Sequence, residues 1–266
     1  MLSVLRHEVR LFFIALQFLS RCPIPAWVGF EPAWLQQCAR YFPLVGLLVG
    51  AICGLVLWAA QWIWPSSIAV GLAIATGVWI TGGFHEDGWA DSCDGLGGAV
   101  SREKALAIMK DSRIGSYGAL GLILMLGLKA ACLLALAETD GGLAALALVW
   151  GHASSRAAPI WLLHQLPYAG DAEHAKAKPL ATQASEATLA FALASSLLIG
   201  AAIAWLRPEL LPSLCAAVLA SAGVTLWVQG RLERRLGGYT GDTLGATQQL
   251  AELAGLLSFV ALLDVF

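Results

Sequence analysis

The chain has 266 residues, of which 58% are hydrophobic and only 13% charged, against about 25% charged in an ordinary soluble protein. With a mean hydropathy of +0.72 it has too few polar residues to surface a soluble core of this size, and its apolar residues come in blocks long enough to cross a bilayer as helix. A net charge of −2 gives no basic surface for nucleic acid.

In chain order, the first element is MLSVLRHEVRLFFIALQFLSRCPIP, where basic residues precede an apolar run. No small-x-small cleavage site follows it cleanly, and Arg21–Cys22–Pro23 intervenes. The segment is expected to stay in place as an amphipathic or re-entrant helix at the membrane surface. Seven spans are then expected, at about Tyr41–Ala60, Ser66–Gly83, Tyr117–Ala137, Gly142–Leu163, Ala187–Leu206, Leu210–Val228 and Thr247–Phe266. The first carries Gly46, Gly50 and Gly54 at four-residue spacing, a stripe that lets a neighbouring helix approach closely. Trp58, Trp62, Trp64, Trp205 and Trp227 sit at block ends, where aromatic rings favour the membrane interface. The six Cys are dispersed with no C-x-x-C pair, which argues against a disulfide framework and a thiolate metal site. The predicted fold is all-α, a polytopic transmembrane bundle forming a single integral-membrane domain over residues 1–266.

Lys and Arg set the expected orientation. With the N-terminus inside, the inner segments hold Arg6, Arg10, Arg21 and Arg40, then Arg102, Lys104, Lys110 and Arg113, then Lys176 and Lys178, then Arg231, Arg234 and Arg235. The outer connections hold only Arg207. The long segments Phe84–Ser116, Gln165–Glu186 and Gln229–Ala246 then share the cytoplasmic face, and the chemistry is expected there. Lys129 and Arg156 are the intramembrane charges. His152 and Arg156 share a helical face and read either as an anion-facing pair or as structural bonding to nearby carbonyls.

The most informative string is TGGFHEDGWADSCDGLGG, Thr81–Gly98. Asp87, Asp91 and Asp94 fall at i, i+4 and i+7, so a helix puts them on one face, where their charges repel. A bound cation relieves that repulsion, and oxygen-only ligands favour a hard ion such as Mg²⁺. His85 and Glu86 are open between ligation, proton relay and capping. His85 lacks a second His at the H-E-x-x-H spacing, which excludes a zinc-peptidase site.

In GGYTGDTLGA, Gly237–Ala246, Asp242 is placed either to complete the metal site or to orient a substrate hydroxyl; no Walker A lysine follows the glycines. The acidic loop 84–116 also carries Lys110, Asp111 and Arg113, and Lys110 and Arg113 have the charge and reach to bind phosphate. A hard cation, basic phosphate ligands and an acid or base for a hydroxyl acceptor together suggest phosphoryl-group transfer, with the acid loop and the glycine-rich loop 229–246 near the active site.

These strings resemble the cobalamin synthase (adenosylcobinamide-GDP ribazoletransferase) family. The matching pieces are FLSRCPIP (Phe18–Pro25), YFPLVGLLVG (Tyr41–Gly50), TGGFHEDGWADSCDG (Thr81–Gly95), REKALAIMKDSRIGSYG (Arg102–Gly118) and GGYTGDTLGA, in the family's order over almost the whole chain. Where the family commonly reads His-Leu-Asp, this chain has His85-Glu86-Asp87, so Glu86 is expected to be a surface substitution. The resemblance implies a Mg²⁺-dependent enzyme of the bacterial inner membrane, its active site facing the cytoplasm. Such an enzyme condenses adenosylcobinamide-GDP with α-ribazole, releasing GMP and forming adenosylcobalamin; α-ribazole 5'-phosphate gives adenosylcobalamin 5'-phosphate. On that reading Asp87, Asp91 and Asp94 hold Mg²⁺ against the pyrophosphate, and Asp111 or Asp242 adds ligands. Lys110 and Arg113 grip phosphate oxygens with Arg156, and His85 or one Asp is the base. Expected partners are the two substrates, membrane lipid, other cobalamin-pathway enzymes and a second copy of the chain. The acidic motif is also similar to that of CDP-alcohol phosphotransferases, without their usual arginine and full spacing. A CDP-alcohol-type phospholipid phosphotransferase is therefore one alternative. A metal or corrinoid transporter is the other, and would spread polar groups through several spans rather than cluster acids at one face.

Overall fold

The computed structural model describes residues 2–98, 101–170 and 183–263. Most of the expected inner segment Gln165–Glu186, including Lys176 and Lys178, lies outside these residues, as does the end of the last expected span.

Helix α1 (Leu2–Leu19) is amphipathic: Leu11, Ile14, Ala15, Leu16 and Leu19 are buried, while Val4 and Leu5 are exposed. After a short helix α2 (Pro32–Cys38), started by a proline in its first turn, comes α3 (Phe42–Ala60). Its glycine stripe meets α8 (Gly141–Ser155). A Cβ on Gly46 would lie 2.1 Å from the His152 carbonyl oxygen, and one on Gly50 would lie 2.8 Å from Val149 Cα. The two backbones are in contact because there is no side chain to separate them.

Helix α4 (Ser66–Thr81) stops at Gly82 and Gly83, both at φ 71°, a conformation that β-carbon-bearing residues resist. The chain turns there by 89° into α5 (Phe84–Gly98), which carries the acidic motif. Helix α6 (Arg102–Met109) is capped by Ser101, whose hydroxyl accepts from the Lys104 N–H. Then come α7 (Ser116–Thr139), α8, α9 (Ala158–Gln165), α10 (Glu186–Leu206), α11 (Leu211–Leu236) and α12 (Gly241–Ala261). Left-handed Gly237 ends α11, and Thr240 and Thr243 form a reciprocal capping box at the start of α12. Among the described residues the one extended pairing is the bridge between Tyr168 and Tyr239, which ties the segment after α9 to the glycine-rich loop.

The molecule is a polytopic helical bundle. Four of its described helices are long and apolar enough to cross a membrane, or five if the bent α4–α5 pair counts as one span. That differs from the seven spans expected. The stretch Gly142–Leu163 breaks between α8 and α9 at Arg156 and Ala157. The last expected span begins earlier, at Gly241, and its inner face is polar, with Thr243, Thr247, Gln248, Gln249 and Glu252 all buried. Trp58, Trp62, Trp64, Trp205 and Trp227 are exposed, as an interfacial belt requires.

Candidate active site

The site is built around α5. Its first turn carries Glu86 and Asp87, where negative charge is favoured by the helix dipole. The three aspartates do share a face, but their surroundings grade from open to closed: Asp87 is exposed, Asp91 half-buried and Asp94 buried. Asp94 is tied to the start of α7, its carboxylate accepting from the N–H groups of Gly115 at 2.7 Å and Gly118 at 2.8 Å. Both glycines are needed for this cap, since a Cβ on either would fall within 2.5 Å of the carboxylate.

The glycine-rich loop reaches the same helix. Gly88 of α5 packs on the first turn of α12 so closely that a Cβ would meet the Asp242 carbonyl oxygen at 2.7 Å. This brings Asp242 into the acidic cluster. Burial, then the charges of Asp242, Asp87 and Asp94, push the Asp91 carboxyl up to about 7. Among the described residues no three His, Cys, Asp or Glu side chains converge as a ready-made metal cage. Mutually repelling oxygen donors at the edge of an open cavity nonetheless suit Mg²⁺, which keeps waters and substrate phosphates in its shell and needs only one or two protein carboxylates.

That cavity has a volume of about 570 Å³, within the usual range of roughly 300–1,000 Å³ for small-molecule sites. Asp87, Asp91 and Glu86 line it from α5, with the elbow glycines Gly82 and Gly83, Ser112 and Arg21. Phe84, Ile114 and Leu122 give it an apolar side. In the sequence Arg21 stands out only as an inner-face charge. Its one local signal was its place in the string Phe18–Pro25.

A second, smaller cavity of about 30 Å³ lies inside the bundle, large enough for a water molecule. His85, Glu86, Lys129, His152, Arg156 and Glu252 line it, and Thr81 and Glu86 line both cavities. A hydrogen-bonded ionic network surrounds it. Lys129 Nζ lies 2.9 Å from Glu252 Oε1 and donates to Gln249 Oε1 at 2.6 Å. Gln248 donates to Glu252 at 2.6 Å and to Ser155 at 2.8 Å. Gln249 donates to Glu86 Oε1 at 3.0 Å.

The other predicted residues are placed as follows. Arg156 is fully buried, donates to the His152 carbonyl oxygen at 2.6 Å and faces the small cavity. His85 is buried beside it and does not line the large one. Arg113 is exposed and forms a bidentate ion pair with Asp111 at 2.6 Å. Lys110 is exposed at the end of α6. Neither Lys110, Asp111 nor Arg113 lines the large cavity. Glu86, expected at the surface, instead turns inward: Oε1 is held by Gln249, and Oε2 is buried with no partner among the described residues. The polar stripe of α12, which meets α5 only in the folded bundle, is what draws it in.

Bundle and site together define a multi-pass membrane enzyme with an acidic cavity beside its helical core. The sequence profile described as cobalamin-5-phosphate synthase matches residues 11–260. The chain is 59% identical over 260 residues to an adenosylcobinamide-GDP ribazoletransferase of Leptothrix cholodnii, covering 98% of each protein. It is 44% identical to that of Shewanella frigidimarina, over 96% of this chain and 95% of the relative. It is 43% identical to that of Shewanella woodyi, over 95% and 96%. No solved structure matches it. The chain belongs to the cobalamin-5-phosphate synthase family.

Proposed function

We propose that this chain joins adenosylcobinamide-GDP to α-ribazole or its 5'-phosphate in a Mg²⁺-dependent reaction at the acidic cavity. The observation that carries this reading is the meeting of Asp87 and Asp91 on one cavity wall, with Asp242 packed against the same helix, in a chain of this family. Asp87 and Asp91 would hold the ion, with Asp242 beside them. When bound, the ion would neutralise the charge that develops on the pyrophosphate. A ribazole hydroxyl oxygen attacks the phosphorus on the corrinoid side, the bond from that phosphorus to the bridging oxygen breaks, and GMP leaves. The hydroxyl proton passes to a cavity carboxylate, because His85 faces the small cavity instead. Asp94 holds the start of α7 and so fixes the wall that carries the reaction. The enzyme sits in the bacterial inner membrane with this cavity at the cytoplasmic face, as the Lys and Arg asymmetry favours.

The test is an assay of the purified full chain with adenosylcobinamide-GDP and α-ribazole, with and without a chelator. The expected result is stoichiometric GMP and adenosylcobalamin, lost on chelation and restored by Mg²⁺. Absence of GMP release, together with turnover of a CDP-linked donor, would sink this reading.

A further inference from the structure

We propose that Arg21 is the phosphate-binding residue of the acidic cavity, and that it takes the pyrophosphate of a nucleoside diphosphate-linked donor. This rests on the reading of the cavity as the donor site. Arg21 is the sole Lys or Arg among the described residues lining that cavity. The basic residues that the sequence suggested for phosphate are elsewhere, Arg113 paired with Asp111 and Arg156 buried against His152.

The fold anchors the Arg21 backbone beside the cavity. Its N–H donates to the Ile80 carbonyl at 2.7 Å, joining the end of α1 to the end of α4. Phe18 packs edge-on against Phe84 at 5.1 Å and stacks on Phe42 at 5.9 Å, docking the end of α1 on the start of α5 and on α3. Gly82 gives the guanidinium its room, since a Cβ there would lie 2.5 Å from Arg21 Nε. Arg21 makes no side-chain hydrogen bond or ion pair with any described residue, although Glu86, Asp87 and Asp91 line the same cavity. An exposed guanidinium at the cavity wall and carboxylates that share the cavity without closing on it leave room for a ligand that bridges both charges. A pyrophosphate with its cation does so, and a guanidinium binds phosphate oxygens in bidentate fashion, which an ammonium cannot. If Arg21 were only an inner-face topology charge, Lys would replace it fully and ligand affinity would not depend on it.

The experiment is calorimetric titration of inorganic pyrophosphate with Mg²⁺ into the purified full chain, Arg21→Gln, Arg21→Lys and the exposed control Arg231→Gln, alongside donor kinetics and thermal melts. Arg21→Gln should weaken pyrophosphate binding by at least about tenfold and raise the donor KM by a similar factor, with an unchanged melting midpoint. Arg21→Lys should fall between, and Arg231→Gln should match the unaltered chain. A folded Arg21→Gln that keeps affinity and KM within about twofold overturns the assignment, as does full function in Arg21→Lys. Arg21-dependent pyrophosphate binding without turnover of the corrinoid donor would sink the proposed function and leave Arg21 assigned. Normal turnover with Arg21→Gln unimpaired would do the reverse.

Discussion

Asp87, Asp91 and Asp94 look equivalent along the sequence, yet the fold gives them different work. Asp87 and Asp91 face the cavity, whereas both oxygens of Asp94 are engaged by backbone N–H groups of α7. Asp87→Asn and Asp91→Asn should each lower turnover by roughly 10²–10³-fold, the usual loss when an electrostatic stabiliser is removed, with little change in thermal midpoint. Asp94→Asn retains a single acceptor oxygen and should cost about 1 kcal/mol of stability, visible in detergent melts before any kinetic defect is assigned. Equal melts for all three variants would refute this division. The spacing of the aspartates was legible because helical period alone puts them on one face. The inward turn of Glu86 was not, since Gln249 is remote in sequence. Arg21 was equally hidden, because only the docking of α1 on the elbow brings it beside α5.

At the scale of elements, α12 explains where hydropathy reading stopped. Its buried face is the polar stripe that binds Lys129, and a sliding average cannot tell such a stripe from an exposed one. The α8–α9 break is hidden too: the Arg156 guanidinium folds back on the His152 carbonyl oxygen, while its Nε stays buried with no partner among the described residues. The glycine stripe of α3 was readable, since small residues at four-residue spacing have a direct packing consequence. The network makes a sharp prediction. Lys129→Met leaves Glu252 buried without its cation and should destabilise the bundle by about 3–5 kcal/mol. Combining it with Glu252→Gln should recover much of that loss in thermal melts; a double variant as unstable as Lys129→Met would show that the pair is not the cause.

For the whole molecule, the helical bundle was evident from composition, while the route of the chain through the bilayer rests on the distribution of Lys and Arg. Ser112 lines the acidic cavity, so Ser112→Cys reports which side the cavity faces. In a chain whose six native cysteines are replaced by Ala, an impermeant maleimide should label it in inside-out vesicles and not in right-side-out ones. The opposite pattern would place the cavity on the outer face. The central claim is that the α5 carboxylates hold a divalent cation against a nucleoside diphosphate. It is tested most directly by electron paramagnetic resonance of Mn²⁺, standing in for Mg²⁺, bound to the full chain in the presence of GDP. The account predicts a bound Mn²⁺ signal that GDP strengthens and that the double variant Asp87→Asn, Asp91→Asn loses. Equal Mn²⁺ binding by the double variant and the unaltered chain would contradict it.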